Sequence, residues 1–165
     1  MVELARATPL AVLGDPSNGF KVSPSMLEAQ ATTRTTGIML NSPSNPTGSV
    51  YAPNELRAIL DLAQRRGWYV ISDEIYQRIA YERPAASALD VATARDRLVV
   101  INGVAKAYAM TGWRIGWSVS SAPVAKAMTA FQSHTTSNAA TVSQHAALAA
   151  LARECASLTI RCIRP

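Results

Sequence analysis

The sequence has 165 residues, 48% hydrophobic and 16% charged, with a formal net charge of +5, a balance that fits one globular domain with apolar side chains enough for a core. No apolar run is long enough to span a bilayer, and no basic stretch followed by an apolar one opens the chain, so neither a membrane span nor a secretory leader is expected and the location is predicted as cytoplasmic. The surplus arginines are scattered along the chain rather than clustered, which argues against a nucleic-acid partner.

In chain order, Ala7 to Leu13 is a short apolar run, predicted as a buried strand. Gly14-Asp15-Pro16-Ser17-Asn18-Gly19 breaks it with a dense set of turn formers. Ser23-Pro24 supplies an N-cap and a proline at the first helical position, so a helix is expected from there to about Ala31. Gly37 to Leu40 is the next apolar run and leads into Asn41-Ser42-Pro43-Ser44-Asn45-Pro46-Thr47-Gly48, whose prolines exclude a helix or a central strand. Pro53 opens the clearest helix: Leu56, Ile59, Leu60 and Ala63 recur at helical spacing, and Arg65, Arg66 and Gly67 give it a basic last turn and a stop.

After Gly67, Trp68 to Ser72 is a continuous apolar run of the kind expected for a strand covered on both faces, and it ends in Asp73-Glu74. A shorter helix is predicted over Ser87 to Ala94, followed by a third strand, Leu98 to Ile101. Strand, helix, strand, helix, strand is the pattern of a parallel α/β sheet with right-handed crossovers. Only eight residues separate Lys106 from Arg114, too few for a parallel crossover, so Arg114 to Val119 is expected to run antiparallel and to start beside the end of the preceding strand.

In a parallel sheet, ligands sit outside the carboxyl ends of the strands. The 41–48 loop, Asp73 and the Asn102 to Lys106 loop each follow such an end, so three strands point polar groups at one crevice. Lys106 stands among small residues, followed by the turn glycine Gly112 and by Arg114. A lysine that attacks an aldehyde needs small neighbours so that a flat cofactor can approach, and a fixed cation nearby to hold a phosphate; arginine's planar fork suits the latter. Alone, this segment is better explained as a surface lysine and arginine flanking a turn, and an aspartate at a strand end is often only a cap for the next element. The conjunction is more telling. Asp73 is placed to pair with a cationic pyridine nitrogen, and Asn45 and Tyr76 can donate to a phenolate oxygen.

Three stretches carry a family resemblance: Asn-Ser-Pro-Ser-Asn-Pro-Thr-Gly (41–48), Ser-Asp-Glu-Ile-Tyr (72–76) and Gly-Val-Ala-Lys-Ala-Tyr-Ala-Met-Thr-Gly-Trp-Arg-Ile-Gly (103–116). With them the chain resembles the pyridoxal-phosphate-dependent aminotransferases of fold type I, class I/II, in particular the bacterial aspartate aminotransferase group, from Ala7 to about Leu151. The resemblance implies an α/β fold: the large domain of the fold type I transferases, a mostly parallel sheet with one antiparallel strand and helices on both faces, here incomplete. It also implies pyridoxal 5'-phosphate as cofactor, an amino acid, aspartate or similar, and a 2-oxo acid as substrates, and a homodimer for the full-length form. Lys106 matches the lysine that bonds the cofactor and shuttles the proton, Asp73 the partner of the pyridine nitrogen, Asn45 and Tyr76 the partners of the ring oxygen, and Arg114 the phosphate arginine. Many relatives carry serine directly before the lysine, where Ala105 stands here.

Relatives in this family are much longer. A glycine-rich phosphate turn and a ring-stacking aromatic are expected upstream, and a small domain with a carboxylate-binding arginine downstream. An upstream strand is also expected between two of the strands present here. Residues 1–156 are therefore expected to be a partial cofactor-binding large domain that starts at an internal methionine, and 157–165 an atypical tail. Its neighbour Cys155 and its own Cys162 have neither further thiols nor a histidine at metal spacing, so no disulfide framework and no metal site are expected. The alternatives are a lyase of the same fold, the ligand-sensing domain of an aminotransferase-like transcription regulator, and an inactive fragment.

Overall fold

The computed structural model describes residues 2–81 and 84–152. Both cysteines and the 157–165 tail lie outside the described residues. Helix α1 (Pro24–Gln30) begins where the Ser23 hydroxyl accepts the Met26 N–H at 3.3 Å. Helix α2 (Pro53–Arg66) starts on a proline, has its first turn closed by the Glu55 carboxylate accepting the Ala52 N–H at 2.6 Å, and stops at Gly67, whose φ of 68° needs a residue without a side chain. Helix α3 (Ala88–Val91) is capped by Ser87 and is only four residues long. It ends short of the expected Ala94 because Ala92 is already extended and the Thr93 hydroxyl turns to Asp61 and Gln64 of α2, at 3.1 and 2.8 Å.

Four strands form one sheet in the order β1 (Gly37–Asn41), β2 (Tyr69–Asp73), β3 (Leu98–Gly103) and β4 (Gly116–Ser120). The first three are parallel; β4 runs antiparallel to β3, as its short connection requires. The sheet is continuous, each strand hydrogen-bonded to the next, so the expected gap for an upstream strand is not there: β1 and β4 are instead the two edges of the described sheet.

Pleating splits the sheet into two unlike faces. Ile38, Leu40, Val70, Leu98 and Val100 point to one side, where Leu56, Ile59 and Leu60 of α2, Ala88 and Val91 of α3 and Leu27 of α1 complete the core. On the other side helix α4 (Ala122–Thr135) lies against β4, with the Ser118 hydroxyl 3.9 Å from Met128 Sδ, and helix α5 (Thr141–Ala152) follows. Helices thus stand on both faces, but the cover of the second is partial. Met39 is 61% exposed there and Tyr69 also faces solvent, so the expectation that the Trp68 to Ser72 strand is covered on both faces fails among the described residues.

Ala7 to Leu13 is not a strand. It runs outside the sheet with Leu13 81% exposed, because Pro9 removes a ladder donor from the middle of the run and, among the described residues, no strand lies alongside to pair with it.

Candidate active site

The parallel register aligns the carboxyl ends of β1 and β2: Asn41 stands opposite Asp73, and Asp73 opposite Ile101 of β3. Beyond these ends the chain turns into the 42–48, 74–80 and 104–113 loops, and the residues singled out in the sequence lie on or beside them. Asn45 Nδ2 donates to the Tyr76 hydroxyl oxygen at 3.3 Å, which leaves the second amide hydrogen of Asn45 and the hydroxyl hydrogen of Tyr76 to donate elsewhere. Lys106 Nζ sits 5.5 Å from the centroid of the Tyr76 ring. Asn45, Tyr76 and Lys106 are therefore brought together from three loops.

Asp73 ends β2 half-buried, with one carboxylate oxygen accepting the Ile75 N–H at 3.1 Å. By pleat alternation its side chain belongs to the open face, with Ile71 and Ile101. The next residue goes the other way: Glu74 is buried and accepts the Ser72 hydroxyl at 3.0 Å and the Ala88 N–H at 2.7 Å, tying β2 to the start of α3. Of two adjacent carboxylates, one faces the crevice and one holds the fold.

Arg114 lies two residues before β4 rather than at its start. The pair opposite the end of β3 is Gly103 with Gly116, and a side chain at Gly103 would meet the Ile115 carbonyl at 2.8 Å, so the close approach of this hairpin needs the glycine. Arg114 itself has φ 54°, a left-handed conformation that costs a non-glycine residue about 1 kcal/mol. Its Nη1 donates to the Thr111 carbonyl at 3.0 Å, and the Thr111 hydroxyl donates to the Ala105 carbonyl, also at 3.0 Å. The arginine is thereby tied to the residue next to Lys106. The ion pairs among the described residues, Lys21 with Glu55 and Arg66 with Glu28, involve none of Asp73, Lys106 and Arg114.

Four residues with no assigned role in the sequence reading hold this arrangement. Asn41 donates to the Asp73 carbonyl at 3.0 Å and accepts the Asn45 N–H at 2.9 Å. Thr111 forms the link just described, and Asn102 Nδ2 donates to Gln77 Oε1 at 3.1 Å, joining the loops that carry Lys106 and Tyr76. Asn41 and Thr111 lie within the stretches that carry the family resemblance, and Asn41 and Asn102 stand at or beside a strand end; nothing local marks Gln77.

Comparison with known proteins gives the family. The family model "Aminotransferase class I and II" matches residues 1–157. The chain is similar to the aspartate aminotransferase of Geobacillus stearothermophilus, 41% identical over 153 residues, which are 90% of this chain and 38% of that protein. It is 45% identical over 135 residues to the aspartate aminotransferase of Thermotoga maritima, 82% of this chain and 36% of that protein. Among solved structures, the Thermotoga maritima aspartate aminotransferase superposes with a TM-score of 0.89 at 42% identity, over 94% of this chain and 42% of that one. An aromatic aminotransferase from Pyrococcus horikoshii gives a TM-score of 0.91 at 30% identity, over 97% and 43%. The chain spans about two fifths of the length of the relatives it matches. On the strength of the family match and of these likenesses, the chain belongs to the class I and II aminotransferases.

Proposed function

We propose that residues 1–156 form part of a cofactor-binding large domain, in a transaminase that moves an amino group between an amino acid, aspartate or a close analogue, and a 2-oxo acid. The observation that carries this reading is the meeting of Asn45, Tyr76 and Lys106 beyond the strand ends, with Asp73 on the same open face. The donor set fits pyridoxal 5'-phosphate: two neutral donors for a ring oxygen, a carboxylate for a ring nitrogen, an amine for the aldehyde and a guanidinium for the phosphate. Relatives carry the names aspartate aminotransferase and, in Cereibacter sphaeroides at 40% identity, aspartate/prephenate aminotransferase, which supports a dicarboxylic amino acid as the substrate.

When bound, the cofactor supplies an electron sink for the bond broken at the substrate's α-carbon. The protein's residues do the rest. Lys106 would hold the cofactor at its aldehyde carbon, the carbonyl oxygen leaving as water, and would take and return a proton at the substrate's α-carbon through Nζ. Asp73 would hold a proton at the ring nitrogen by its negative charge; Asn45 and Tyr76 would donate to the ring oxygen and orient the ring. Arg114, held through Thr111, positions the phosphate end. The cytoplasmic location and the homodimer expected of the full-length form belong to this proposal.

The test is borohydride reduction of the chain incubated with pyridoxal phosphate, followed by peptide mapping. Reduced cofactor is expected on Lys106, and Lys106→Ala should abolish it with the far-UV circular dichroism unchanged. A covalent adduct of equal yield in Lys106→Ala would remove the lysine from this role.

A further inference from the structure

Asn41 is the last residue of β1 and is half-buried, and its amide does two things at once. Nδ2 donates to the Asp73 carbonyl at 3.0 Å; Oδ1 accepts the backbone N–H of Asn45 at 2.9 Å. A carboxylate could make only the second bond, an aliphatic side chain neither, so the arrangement asks for an amide. The consequence is geometric. The backbone that carries the Asp73 carboxylate and the backbone that carries the Asn45 amide are clamped to the same side chain, and Asn45 Nδ2 in turn stands 3.3 Å from the Tyr76 hydroxyl.

The other ties of this region do not duplicate the clamp. Ser42 N–H also donates to the Asp73 carbonyl, at 3.2 Å, so β1 and β2 stay joined without the Asn41 side chain. Within the loop, the Ser44 and Gly48 N–H groups are paired with the Ser49 and Ser44 carbonyls, which leaves the Asn45 N–H to Asn41. The loop bears Pro43 and Pro46, which have no donors of their own.

We propose that Asn41 is a positioning residue of the cofactor site: it fixes the spacing between the Asn45 donor and the Asp73 carboxylate so that both meet one cofactor ring at different edges. The inference rests on the cofactor reading above. It assigns to Asn41 an effect on the electronic state of the bound ring without contact to that ring.

The experiment uses the 165-residue chain with pyridoxal phosphate as probe, in the parent and in Asn41→Ala, Asn45→Ala and the double variant. The readout is the pH midpoint of the absorbance change of the Lys106 adduct. Loss of a donor leaves the ring oxygen more negative, so it holds the neighbouring proton more tightly and the midpoint rises. Asn41→Ala and Asn45→Ala are each expected to raise it by about one pH unit, the scale of one hydrogen bond to a charged group, with little further rise in the double variant. A role confined to folding would lower the melting temperature of Asn41→Ala and leave the midpoint in place; that result overturns the proposal, whatever Asn45→Ala does. A second, cofactor-free measurement is hydrogen exchange at the Asn45 amide. Asn41→Asp keeps the acceptor and should keep that amide protected, while Asn41→Ala should expose it; equal loss of protection in both overturns the clamp. Absence of any reducible adduct in the parent chain is a separate outcome, which overturns the cofactor reading and this inference with it.

Discussion

The Nδ2 of Asn45 and the hydroxyl oxygen of Tyr76 lie 3.3 Å apart although 31 positions separate the two residues in the chain. Their loops follow neighbouring parallel strands, β1 and β2, whose last residues, Asn41 and Asp73, are in register. In the proposed function this pair donates to one ring oxygen of the cofactor. Asn45→Ala and Tyr76→Phe are each expected to weaken pyridoxal phosphate binding about tenfold, near 1.4 kcal/mol, the worth of a typical hydrogen bond. If both donate to one oxygen, as proposed, the double variant should lose less than the product of the two. Fluorescence titration with the cofactor measures all three; strict additivity would mean that they serve different atoms.

Asp73 and Arg114 should separate by kinetic signature. In an intact transaminase carrying this segment, Asp73→Ala is expected to lower turnover about a hundredfold or more with modest loss of cofactor, since in the proposed function it removes the charge that keeps the ring nitrogen protonated. Arg114→Ala should leave turnover of the saturated enzyme closer to the parent's and raise the cofactor concentration needed for half-saturation. Turnover measured across a cofactor titration distinguishes them, and one shared pattern would refute the division of roles.

Away from the site, Tyr51 gives the fold a pH dependence. Burial pushes its phenol above its ordinary value of 10.0, and the Glu55 charge adds to this, against the opposing effect of the Val22 N–H that donates to its oxygen at 2.8 Å. A raised folded value means that the folded chain keeps this proton while the unfolded chain gives it up. The contribution is therefore whole below about pH 10 and is lost as pH rises from there through the folded value. Tyr51→Phe should cost about 1 kcal/mol at neutral pH by leaving the Val22 N–H without its acceptor, and should flatten the alkaline loss of stability. Urea unfolding at neutral pH and near pH 11 checks both; an unchanged alkaline slope would mean that another group dominates it.

The 165-residue chain by itself carries exposed apolar surface beside an open strand edge. Among the described residues strand β4 pairs on one side only, Phe131 is 73% exposed on α4, and Trp117 and Val119 face solvent. Such an edge invites pairing with other chains. The isolated chain is expected to self-associate, to hold pyridoxal phosphate weakly, and to show no transamination between aspartate and 2-oxoglutarate. Light scattering, a thermal melt and a coupled assay test this together. A monomer with one sharp melt and measurable turnover would overturn it.

Much of this protein was decided locally and can be read from residue order alone. Helix α2 begins at Pro53 and ends at Gly67 because proline suits a first turn and glycine a left-handed stop; β1, β2 and β3 lie within two residues of their apolar runs; and β4 is antiparallel because eight residues are too few for a crossover. The candidate residues were placed for a related reason: polar groups that directly follow parallel strands stand at one end of the sheet, where Asn45, Tyr76 and Lys106 do meet. What residue order left open were facts of pairing and direction. Ala7 to Leu13 has a strand's composition and no partner. The continuity of the sheet depends on which strands pair, and no single strand's residues state that. Asp73 and Glu74 are alike as carboxylates, and only the pleat sends one to the open face and the other under α3. The clamp made by Asn41 joins β1, the end of β2 and the Asn45 loop, so it exists only once the sheet has formed.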